Sequence, residues 1–89
     1  MGPILSPAMI LPTLSINGTA KSELFENAAE AKFKLLEAIE ALRKTVPNGR
    51  DYQYAEPGAF EGAQKEFVER MAKMHSIIAD VDTLLEHTA

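Results

Sequence analysis

Two long stretches of helical periodicity are broken only once, and that break constrains the fold of this chain more than any other feature. It reads Val46-Pro47-Asn48-Gly49-Arg50-Asp51-Tyr52-Gln53-Tyr54-Ala55-Glu56-Pro57. Pro47 has no backbone N–H and its ring clashes with the preceding turn, so a helix arriving there must stop. Asn48-Gly49 is a strong turn dipeptide. Pro57 suits the first turn of a new helix, where the missing N–H does no harm. The sequence therefore predicts a helix over 19–46, a loop over 47–56 and a helix over 57–87.

The first stretch has Thr19 as a candidate N-cap and Glu23 near the positive helix end. Phe25, Ala28, Leu35, Ile39, Leu42 and Val46 form an apolar seam that only Lys32 interrupts. Ala29, Phe33 and Leu36 form a second line beside it, and Leu24, Ala31 and Ala38 widen the other edge. Glu30 with Lys34 and Glu40 with Lys44 have the favourable i,i+4 order. The second stretch carries Phe60, Ala63, Phe67, Met71, Met74, Ile77 or Ile78, Val81, and Leu84 or Leu85 on one line, with Glu66–Arg70 and Glu69–Lys73 as exposed pairs. At 1.5 Å per residue the helices span about 40 and 45 Å. Matched lengths predict an all-α fold, a long antiparallel helical hairpin.

The apolar faces are wider than a single partner helix covers. That predicts a homo-oligomer, a dimer or higher, with hairpins joined in a four-helix or larger bundle. Leu14, Ile16, Phe25, Phe33, Leu36, Phe67, Met71 and Met74 are the expected interface residues. The chain has 89 residues and no cysteine, so association takes the place of a disulfide staple. Residues 1–18 form an apolar arm with prolines at positions 3, 7 and 12, which forbid a continuous helix. Within it, 13–17 alternates polar and apolar and ends at Asn17-Gly18, the pattern of a short extended strand. The arm has neither the basic start of a signal peptide nor an unbroken apolar span.

The net charge is −4. Dispersed lysines and arginines in an acidic chain argue against nucleic acid as a partner, and no membrane contact is expected. His75 and His87 lack a carboxylate at the i,i+3 or i,i+4 spacing of a helical metal site, so no metal or other cofactor is expected. Asp80 and Asp82 diverge on a helix, and no nucleophile elbow or phosphate loop occurs. The expectation is a protein without catalytic residues.

Potential ligand-binding groups cluster in the loop alone. Asn48, Arg50, Asp51, Tyr52 and Tyr54 supply donors, a carboxylate and two rings. Arginine with tyrosine suits an anionic ring compound such as a nucleotide, the guanidinium meeting phosphate and the ring stacking on the base. The same residues also suit a plainer role, with Asp51 capping the turn, Arg50 pairing with it or with a helix end, and the tyrosines plugging the end of a bundle.

Leu14-x-Ile16-Asn17-Gly18-Thr19, a helix, Pro47-Asn48-Gly49-Arg50-Asp51-Tyr52 and the helix start Ala59-Phe60-x-x-Ala63 together resemble small helical-hairpin proteins encoded by tailed bacteriophages and prophages. The likeness spans residues 13–87, and that family has no established activity. The resemblance implies a phage accessory protein in the bacterial cytoplasm, acting by binding. Three roles fit: an anti-defence sponge for a nucleotide immune signal through Arg50–Tyr54, a module that blocks a host protein, and a virion or assembly component.

Overall fold

In the computed structural model, which describes residues 9–14 and 18–89, two long helices pack against each other as a hairpin. Helix α1 spans Lys21–Arg43 and helix α2 spans Ala59–Thr88. A short 3₁₀ turn, Gly49–Tyr52, sits in the connection. The described residues contain no strand; Thr13 and Leu14 have irregular backbone. Residues 1–8 and 15–17, and with them Ile16, lie outside the described residues.

Both helices start later than their sequence signals. Thr19 does not cap α1. The N-cap is Ala20, whose carbonyl accepts from the Glu23 and Leu24 N–H groups at 3.0 Å while its side chain offers no acceptor. Pro57 lies before α2, in a tight turn. The Ala59 N–H donates to the Glu56 carbonyl at 3.0 Å, and Gly58 takes φ 87° and ψ −7°. Proline followed by a positive-φ glycine is the type II turn pattern, so Pro57-Gly58 reverses the chain before α2 begins. At its other end α1 closes early. Thr45 and Val46 donate to the Leu42 and Arg43 carbonyls at 2.9 and 3.2 Å, the tightened last turn common where a helix runs out. The Thr45 hydroxyl also donates to the Leu42 carbonyl, at 2.7 Å.

The core is thin. Ile39 is only 2% exposed and packs with Met71 and Ile78, flanked by Leu35, Leu42, Phe67 and Met74. These residues recur at i+3, i+4 and i+7, so each helix turns one stripe inward. Lys32, the interruption in the α1 seam, reaches across to Asp82 at 2.6 Å. A charge in the seam is tolerated because the opposite helix supplies its counter-charge. Along the helix surfaces the described ion pairs are Lys34–Glu37 at 3.7 Å and Arg43–Glu40 at 3.1 Å. These i,i+3 pairs stand in place of the i,i+4 pairs expected from the sequence.

The molecule is 16 Å across its thinnest axis, a single layer of helices. Phe33 is 58% exposed and Leu36 45%, and Phe25, Val68 and Ile77 are also exposed. Of the expected interface residues, Met71 is buried within the hairpin, and Phe67 and Met74 pack against the same core. Those three serve the α1–α2 contact. The open apolar surface lies on both helices instead, with Phe25, Phe33 and Leu36 on one flank of α1 and Val68 and Ile77 on α2.

Candidate functional site

The loop that joins the helices is built around Asn48. Its extended backbone, φ −113° and ψ 129°, lets its side-chain oxygen accept from the Arg50 N–H at 2.9 Å. This caps the 3₁₀ turn, as short polar side chains do for their own backbone two residues on. The same oxygen accepts from Arg50 Nε at 3.4 Å. Asn48, rather than Asp51, is therefore the capping residue, and it positions the arginine as well. Among the described residues no carboxylate pairs with Arg50, and its guanidinium lies at the exposed surface.

The two tyrosines divide the roles that the sequence left open between them. Tyr52 is half-buried and its ring packs on Phe60, centroids 5.9 Å apart and planes tilted by 40°. It plugs the loop end of the hairpin. Gly49 lies beneath the same Phe60 ring, where an added Cβ would meet it at 3.8 Å. Tyr54 is 94% exposed, and Asp51 is exposed as well. A single copy thus brings Asn48 and Arg50 together, ties Tyr52 to α2, and leaves Asp51 and Tyr54 in solvent.

The opposite end of the hairpin holds contacts that sequence spacing does not reveal. His87 Nε2 lies 2.8 Å from the Pro12 carbonyl. A carbonyl only accepts, so this nitrogen carries the proton and donates. The contact ties Pro12 to the C-terminal end of α2. Pro12 roofs a hollow of about 280 Å³ lined by Leu24, Ala28, Ala31, Val81 and Leu84. Thr88, 3% exposed, turns its hydroxyl back to the Leu84 carbonyl at 2.8 Å. His87 therefore serves as an anchor for Pro12. At the same end an open, mainly apolar hollow of about 670 Å³ is lined by Lys21, Ser22, Phe25, Glu26, Thr88 and Ala89.

Among the described residues no three His, Asp or Glu side chains come together as a metal cluster. Among them, too, no helix is long and apolar enough to cross a membrane. Comparison with protein-family models, with curated proteins and with solved structures finds no match for this chain.

Proposed function

We propose that this protein acts by binding rather than catalysis, as a helical hairpin that self-associates and presents its assembled surface to a partner. The observation that carries this reading is the imbalance between core and surface. Ile39, Met71 and Ile78 form the buried core cluster, while Phe25, Phe33, Leu36, Val68 and Ile77 stay exposed. Apolar surface left on one layer of helices favours association, because covering it removes its contact with water. The resemblance to phage hairpin proteins supports an accessory role in a bacterial cytoplasm, with a host protein as the object of binding. Sedimentation equilibrium across a wide concentration range tests the self-association. Dimers or larger species support it, and a monomer throughout refutes it. A host protein that copurifies with the wild-type assembly, but not with a Phe33→Asp variant, would identify the blocked partner.

A second reading has its own supporting observation. The Asn48 side-chain oxygen accepts from one guanidinium nitrogen of Arg50, Nε at 3.4 Å, while Arg50 and the Tyr54 ring remain exposed. That arrangement suits capture of an anionic nucleotide between loops of two copies. Calorimetry with cyclic dinucleotides and ADP-ribose tests it. Binding that disappears in Arg50→Ala with the oligomer intact supports it, and absence of heat with all of these ligands refutes it.

A further inference from the structure

The exposed flank of α1 carries a charge pattern that selects both its occupant and the orientation of that occupant. Each helical residue turns about 100° from the last. Ser22, Phe25, Ala29, Phe33, Leu36 and Glu40 therefore project within about 40° either side of one direction, roughly a quarter-turn from the buried Ala28–Ile39 stripe. Three of them, Phe25, Phe33 and Leu36, are exposed large apolar side chains. The flank repeats at an interval of eleven: Phe25 with Leu36, Glu26 with Glu37, and Lys21 with Lys32 and Arg43. Eleven residues make close to three helical turns, so the stripe stays on one side for the whole of α1.

The two borders of this stripe differ in sign. Lys21, Lys32 and Arg43 line the border next to α2, where Lys32 meets Asp82. Glu26 and Glu37 line the outer border. When two copies of such a helix pair in parallel, the border on one side of the seam faces the opposite border of the partner. When they pair antiparallel, like borders face each other. Antiparallel pairing would set the whole acidic row against itself, which is unfavourable across an interface, whereas parallel pairing brings together like charges of the stripe only at Glu40, which Arg43 of its own copy already pairs at 3.1 Å. Parallel pairing sets Lys21 and Lys32 against Glu26 and Glu37 of the second copy. Each lysine is then offset by five residues from its glutamate, the spacing at which flanking charges meet across a parallel helical seam.

We infer that the Phe25–Leu36 flank of α1 is the seam of a parallel, in-register dimer, with a second copy of this chain as its occupant. The inference rests on the self-association proposed above and adds the surface and the orientation. Its consequence is geometric. Both Arg50 loops stand at the same end of the dimer, whereas antiparallel copies would separate them by about the length of α1, some 34 Å for 23 residues.

The chain has no cysteine, so single-cysteine variants report the pairing cleanly. Ser22→Cys and Glu40→Cys lie at the two ends of the stripe, on exposed positions; circular dichroism verifies that both variants fold. Under mild oxidation the parallel seam gives a disulfide-linked dimer with each variant alone and little cross-linking between the two in a mixture. Cross-linking only in the mixture overturns the parallel orientation while leaving self-association intact. A dimer by sedimentation with neither kind of cross-link places the interface elsewhere and overturns the seam. A monomer at every concentration overturns the seam and the self-association together.

Discussion

Gly58 holds φ 87° in the turn that launches α2. A side chain in this left-handed region costs roughly 1–2 kcal/mol, and no atom lies within 4 Å of the place its Cβ would occupy. The cost of Gly58→Ala is therefore conformational, and urea denaturation should show a loss of about 1–2 kcal/mol with helix content unchanged. Gly62 provides the contrast. It lies inside α2 with open space around its missing Cβ, so Gly62→Ala should gain about 0.5–1 kcal/mol. If both substitutions act in the same direction, the type II turn at Pro57-Gly58 is wrong. Ala20 is a third informative residue. It occupies the N-cap of α1 without a side-chain acceptor, and Ala20→Asp should raise the melting temperature through a gain of about 1 kcal/mol.

At the scale of elements, the hairpin depends on the stripe where α1 meets α2. Ile39 is its most buried side chain. Ile39→Ala should remove about 2–5 kcal/mol, a large part of the stability available to so small a domain. The Lys32–Asp82 pair joins the same helices, but both side chains remain more than a third exposed. Solvent screening limits such a pair to about 1 kcal/mol or less. Denaturant midpoints for Ile39→Ala and Asp82→Ala should therefore differ widely, and equal losses would show that the ion pair carries more than its exposure allows. Much of this element-scale picture was legible in the sequence. Of the α1 seam read by spacing alone, Ala28, Leu35, Ile39 and Leu42 turn inward while Phe25 and Val46 stay exposed, and Pro47 marked where that helix must fail. The cap residues were not legible in the same way. Thr19 and Pro57 are suitable by type, yet the helix starts moved to Ala20 and Gly58 because the connecting backbone determines where helical dihedrals begin.

At the scale of the whole molecule, the described residues form one layer of two long helices, and the expected behaviour follows from what that layer leaves open. Replacing Phe33 and Leu36 together by Asp puts two charges in the middle of the exposed α1 flank. Each copy should keep its fold, since neither side chain is in the core cluster, and sedimentation should show the assembly shifted to monomer. An unchanged mass would move the interface off this flank. The loop site was visible in the sequence only as a cluster of residue types. Five neighbouring residues suited either a clamp or a capped and plugged bundle end, and the structure divides them. Asn48 fixes Arg50, Tyr52 joins Phe60, and Tyr54 stays in solvent. Periodicity cannot report such a division, because it depends on which helix face the loop folds over.

By itself the sequence determined two helices, one reversal and an excess of apolar surface. Each of these is set locally, by side-chain spacing against the helical repeat or by proline and glycine dihedrals. The tertiary structure decided which apolar residues meet inside the hairpin and which remain on its flank. It placed Met71 in the core and Phe33 outside it, gave Lys32 a partner fifty residues away in Asp82, and set His87 against Pro12. Those choices depend on the rotation of one helix against the other, which only the packing of the two together can fix.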